Sequence, residues 1–189
     1  MTGVTLAGHE WWLASRAAGV VALVLVSLAV GLGLANAARL VPPRLRRTVI
    51  ALHEQVALAG LVSIAAHGLL LLPDRWLHPG LAGIAVPFAN AFRPAATALC
   101  VVAAYLAGVL GLSFYARRRI GPRLWRRLHV ATLAAYAMSV AHTLLAGTDA
   151  ATLWLRGLLV VTAAPIVGLL AVRFVPATYQ RLLRLRPEL

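Results

Sequence analysis

The chain has 189 residues, of which 61% are hydrophobic and only 12% charged, far more apolar surface than one compact soluble core of this size would bury. That composition excludes an ordinary soluble domain and puts the chain in lipid. The net charge of +13 would suggest nucleic acid in a soluble protein, but all 18 basic residues are arginine and most stand between apolar runs, so the charge reads as membrane topology and no nucleic-acid partner is expected.

Five apolar runs reach the roughly 20 residues that a helix needs to cross a hydrocarbon core. They cover residues 14–36, 49–72, 95–116, 128–146 and 153–174. Backbone groups in lipid must be satisfied within the segment, and barrel-type alternation is absent, so the fold class is an all-α membrane protein, one bundle over residues 1–189. In the first run, Ala35-Asn36-Ala37 mimics a signal-peptide cleavage site. The run is too long for a signal peptide and is followed by basic residues, so it reads as a retained helix. Between the second and third helices the loop Pro73–Pro94 holds an apolar piece, Leu81–Phe92, too short to span and therefore interfacial or re-entrant. The third helix carries the single cysteine, Cys100, which alone forms no internal disulfide and no cysteine-based metal or iron–sulfur site. After the fifth helix, Tyr179–Leu189 reads as a short basic amphipathic helix on the inner leaflet.

The arginines sort by loop. Arg39, Arg44, Arg46 and Arg47 follow the first helix, six between Arg117 and Arg127 follow the third, and Arg173, Arg181, Arg184 and Arg186 close the chain. The other side has only Arg16, Arg75, Arg93 and Arg156. The positive-inside rule then sets the N-terminus outside and the C-terminus in the cytoplasm, as expected of a multi-pass protein of the cell membrane with an odd number of helices. Anchoring beside anionic lipid accounts for these basic runs, and docking of a cytoplasmic electron donor is the second reading.

Ionisable residues at membrane depth are costly and point to function. His53 and His67 lie 14 residues apart on the second helix, and His129 and His142 lie 13 apart on the fourth. At about 1.5 Å per residue, the members of each pair are separated by roughly 20 Å along the axis. Two helices thus present facing histidines at two depths, His53 with His129 near the cytoplasmic side and His67 with His142 near the outer side. This suits axial ligation of two b-type hemes stacked across the bilayer. The angles agree less well: fourteen residues return within roughly 40° of one face, but thirteen miss by about 140° in an ideal helix. Either the fourth helix is locally tighter or its two histidines reach their hemes from different sides.

Other readings of the histidines are interhelical hydrogen bonds, or a metal or proton path. A relay would recruit carboxylates, and the one candidate is Glu54 at a helix edge; no HExxH or HxH spacing for zinc occurs. His9 and His78 read as solvated interface residues, and Glu54 either orients a ring or sits at the headgroups. Heme propionates call for forked cationic donors. Arg127 and Arg126 border the inner level and Arg93 and Arg75 the outer, although anchoring alone explains most of them. The five tryptophans near predicted interfaces form an aromatic belt, and Tyr136, between the two levels, reads as helix packing.

These histidine spacings resemble the ferric reductase-like transmembrane domain family, which includes NADPH oxidases, yeast ferric reductases and MsrQ/YedZ. So do Val86-Pro87-Phe88 with Phe92-Arg93-Pro94, Arg118-Arg119-Ile120-Gly121 with Trp125-Arg126 and His129, and Gly147-Thr148-Asp149. The likeness is to the short actinobacterial-type members and covers most of residues 11 to 174. It implies two heme b groups, the inner iron between His53 and His129 and the outer between His67 and His142, carrying electrons outward. Two departures stand out: the family often has six helices where five are read here, and many members carry a flavin and NADPH domain, for which no dinucleotide fingerprint is found. The resemblance therefore implies an oxidoreductase subunit supplied by quinol or a separate flavoprotein reductase, with ferric iron, oxygen or a periplasmic enzyme as acceptor. The rival expectation is a non-redox membrane anchor or small transporter subunit whose histidines make structural bonds between helices.

Overall fold

The computed structural model describes residues 9–174. They form α1 (Glu10–Ala37), a 3-10 turn (Pro43–Leu45), α2 (Arg46–Leu69), α3 (Gly80–Ala85), α4 (Pro94–Ile120), α5 (Pro122–His129), α6 (Thr132–Ala146) and α7 (Leu153–Phe174), with no strand among the described residues. Five spans are long and apolar enough to cross a membrane, α5 and α6 together making the fourth, which is the architecture of a multi-pass membrane protein. The spans overlie the five expected runs, with longer ends on the first, third and fourth, while the second starts earlier and stops at Leu69, short of the expected residue 72, and the fifth coincides. α1 begins at Glu10, and α4 continues through Arg117–Arg119, because arginine stems can lie along the helix while their heads reach water. Of the apolar piece Leu81–Phe92, only its first residues join the six-residue α3. The expected amphipathic tail from Tyr179 lies outside the described residues.

Local chemistry sets the boundaries. Pro94 and Pro122 open α4 and α5, where the missing N–H is no loss. Gly121, at φ +91, closes α4 by donating its amide to the Arg117 carbonyl and turns the chain into α5. In the α2–α3 loop the buried Asp74 accepts the Trp76 and Leu77 amides through Oδ2 at 3.2 and 2.7 Å, an Asx turn that holds an irregular segment in place.

α1 packs most extensively on α2, and α4 on α6; α1 also meets α6 and α7, and α2 meets α4. One core cluster joins Leu23 of α1 to Leu155 and Leu159 of α7, and a second joins Leu34 of α1, Tyr136 of α6 and Ile166 of α7. Outward-facing Val62, Val109, Val160 and Val161 are each well exposed, as apolar side chains on membrane spans are when lipid covers them.

Candidate functional site

The two histidines of α2 are docked on α1 by one device used twice. Gly19 and Gly33 leave space for the rings: a Cβ at Gly19 would lie 2.9 Å from His67 Nδ1, and one at Gly33 would lie 3.2 Å from His53 Cε1. Each ring turns Nδ1 to the carbonyl one helical turn before its glycine, His67 to Ser15 at 2.8 Å and His53 to Ala29 at 2.8 Å. A carbonyl only accepts, so Nδ1 carries the proton and Nε2 keeps its lone pair. Ser15 strengthens its own site, because its hydroxyl donates to the His67 carbonyl at 2.7 Å and stands 3.1 Å from His67 Nδ1.

α4 serves the fourth span by the same plan. His142 Nδ1 donates to the Ala96 carbonyl at 2.9 Å. Fourteen residues further along, the same separation as Ser15 to Ala29, the Leu110 carbonyl faces His129. Here the contact is looser than at the other three rings, and His129 Nδ1 makes no well-aligned hydrogen bond. The Leu110 carbonyl also accepts the Ser113 hydroxyl at 2.7 Å, and Ser113 Oγ accepts the Trp125 indole N–H at 3.1 Å. Trp125 in turn stacks on His129, with centres 4.7 Å apart and planes 24° from parallel.

The four rings meet as two pairs. His53 and His129 have centres 6.2 Å apart and His67 and His142 6.3 Å apart, with planes crossed at 80° and 69°. The thirteen-residue spacing is offset in part by local tightening. Between α5 and α6 the amides of Ala131, Leu133 and Ala134 bond to the carbonyls three residues back, at 2.9, 3.0 and 3.0 Å. A 3-10 step turns by about 120° against about 100° for an α step, which swings His142 toward the face of His129.

The chain matches no protein-family model, no curated protein and no solved structure.

A cleft enclosing about 920 Å³, its open mouth included, surrounds the His67/His142 pair and is lined also by Arg16, Gly19, Cys100, Tyr136 and Asp149. Arg16 is ion-paired with Asp149 and lies over the Trp12 ring at 4.4 Å. Cys100 joins the two histidines in a group whose ligand atoms lie within 4.8 Å of one another, a grouping that the isolation of the cysteine in sequence conceals. Neither Arg93 nor Arg75 lines this cleft. Arg93, at φ +46, donates to the Leu145 carbonyl at the end of α6, and Arg75 is exposed. Arg126 and Arg127 lie exposed on α5. Glu54 accepts the Tyr115 hydroxyl at 2.8 Å, while the His53 Nδ1 beside it goes to Ala29. Tyr136 packs against Leu34 and Ile166, its hydroxyl 3.2 Å from Ser27 Oγ. His9 meets Trp12 and Trp76 edge to face, and His78 is exposed.

Sequence reasoning missed Gly19, Gly33, Ser15 and Arg16. One signal was present: Gly19 and Gly33 are spaced like His67 and His53, as an antiparallel docking helix requires.

Proposed function

We propose that this chain is a diheme b-type transmembrane electron-transfer protein of the ferric reductase-like kind. In this reading it sits in the cell membrane with its N-terminus outside and its arginine-rich end in the cytoplasm, and carries electrons outward from quinol or a separate flavoprotein reductase. The observation that carries the reading is the pair of ring separations. An imidazole nitrogen binds a metal at about 2 Å and lies ~1 Å from its ring centre, so two axial ligands of one iron should have centres about 6 Å apart. Both pairs, at 6.2 and 6.3 Å, meet that requirement. Carbonyl acceptors on three of the four Nδ1 atoms add support, because ligating histidines typically donate their second N–H and present the other nitrogen to metal.

His53 with His129, and His67 with His142, would hold the two hemes. Bound heme supplies one-electron chemistry at each level. The protein fixes ring orientation through Ser15, Ala29 and Ala96, excludes water with apolar helices, and has in Arg16, which lines the cleft, a cation that would serve a heme carboxylate there. A second reading, one transition-metal ion on His67, His142 and Cys100, is favoured by the closeness of those three ligand atoms. It leaves unused the matching bis-histidine pair at the other level.

Purified protein should show a reduced-minus-oxidised b-type spectrum, and a pyridine hemochrome assay should approach two hemes per chain. Replacing His67 or His142 by alanine should remove one heme, and replacing His53 or His129 the other. Colourless protein holding one equivalent of zinc or copper would turn the assignment to the three-ligand site.

A further inference from the structure

Apart from Glu10 at the first residue of α1, Glu54 is the only carboxylate on the five spans. It stands eight residues beyond Arg46, about 12 Å along the axis of α2. An ionisable group at that depth is costly and marks function. Glu54 reaches across the α2/α4 seam, where its Oε1 accepts the Tyr115 hydroxyl at 2.8 Å and its Oε2 is left open. Tyr115 is 58% exposed on a flank that lipid covers. One turn from each, Leu58 and Leu112 add apolar surface, and further along the seam Leu61 packs against Gly111, where a Cβ would lie 3.2 Å from its side chain. The polar pair is linked to both histidines of one level. Glu54 follows His53 directly in the chain. The Tyr115 ring meets Phe114 at 5.4 Å, Phe114 meets Trp125 at 5.8 Å, and Trp125 stacks on His129 at 4.7 Å.

Resting on the diheme reading above, we propose that the α2/α4 seam at Glu54 and Tyr115 is a quinol-binding site, in which a lipid-dissolved quinol donates a ring hydroxyl to Glu54 Oε2 and lies against Tyr115. The chemistry of the ligand matches the place. A quinol has a flat aromatic ring, hydroxyls that donate and an apolar tail; the seam offers a strong acceptor, an aromatic neighbour and an apolar opening to lipid. A protein donor would need a water-facing surface, which this flank is not. Oxidation breaks the two O–H bonds of the quinol and leaves a quinone. The two protons pass to interfacial water, and the two electrons reduce two ferric irons, one at each level. Entry beside His53 and His129 requires the first electron to move to the His67/His142 level before the second enters, which is the outward direction proposed above.

Photolabelling tests the site without relying on heme. The full chain in lipid nanodiscs is irradiated with short-tailed azido-naphthoquinone and azido-benzoquinone probes, and the labelled peptides are mapped by mass spectrometry. Label from at least one probe should fall on α2 near Glu54 and on α4 near Tyr115, and Glu54→Leu should weaken it. Label spread over all five spans, or confined to the others, overturns the proposal. In stopped flow with the corresponding quinols, Glu54→Leu should raise the concentration giving half-maximal heme reduction about tenfold or more, as loss of a hydrogen bond to a charged group does. Dithionite should still reduce its hemes fully. Tyr115→Phe, which keeps the ring but unties the carboxylate, should give a smaller rise. An unchanged quinol dependence in Glu54→Leu overturns the proposal. If that variant loses heme, Tyr115→Phe and the labelling of the unaltered chain decide. Labelling at the seam of a chain that binds no heme tells against the diheme reading and keeps the site. Hemes reduced only by an added flavoprotein, with both quinols inert, keep the diheme reading and reject the site.

Discussion

At the scale of single residues, the glycines of α1 do as much to define the site as the histidines of α2. A methyl at Gly19 would press on His67 Nδ1 at 2.9 Å, and the ring cannot retreat without leaving the Ser15 carbonyl. Overpacking of this kind costs about 1–3 kcal/mol. Gly19→Ala should accordingly bring heme content from two per chain toward one, whereas Gly68→Ala, where a Cβ meets nothing within 4 Å, should leave it at two. Equal heme content in the two variants would show that the close approach is not needed. The histidines were legible in the sequence because imidazoles at membrane depth stand out against apolar neighbours. Gly19 and Gly33 were not, because small residues are common in membrane helices for packing alone. Their shared spacing with the histidines carries meaning only once α1 and α2 are known to run antiparallel. Arg16 was read as one charge on the sparse side of a topology count, since nothing local to it foretells Asp149 at the far end of the chain.

At the scale of elements, the five spans followed from hydropathy and length, while the break between α5 and α6 did not. No proline or glycine marks residues 130 and 131. The break is forced by the need to return two side chains thirteen residues apart to one face, a tertiary demand visible beforehand only as an angular mismatch. The two histidine-bearing spans should therefore respond differently to an added residue. An alanine inserted between Val130 and Ala131 makes the spacing fourteen, which an untightened helix satisfies to within roughly 40°. The 3-10 turn should relax and both hemes should remain. The same insertion after Ala59 of α2 turns His67 away by about 100° and should release one heme. Equal loss from both insertions would mean that the tightening carries no register.

At the scale of the whole molecule, the fourteen-to-four division of arginines sets the predicted orientation. A reporter fused to the N-terminus should be active only outside the cytoplasm; activity only inside would exchange the inner and outer assignments. Arg123, Arg126 and Arg127 are exposed on α5, which in that predicted orientation would face the cytoplasm. Heme reduction by an acidic reductase should slow as salt rises, because screening shortens the reach of its attraction, while reduction by a lipid-dissolved quinol should change little. Reversing the charge of those three arginines should abolish the salt dependence of the first reaction and spare the second.

The repetition of one docking plan on α1/α2 and α4/α6 has a further consequence. A planar ligand gripped from both faces by equivalent arms meets nearly the same surroundings after half a turn about an axis in its own plane. Heme is not symmetric under that turn, since its vinyl and methyl groups exchange places. Freshly loaded protein should therefore contain two insertion isomers at each level, visible as doubled methyl resonances. What separates them in energy is whatever breaks the repeat: Cys100 and Phe114 on α4 stand where α1 has Gly19 and Gly33, and the Arg16–Asp149 pair guards only one rim of the outer cleft. The outer level, with that charged rim, should settle toward a single isomer sooner than the inner.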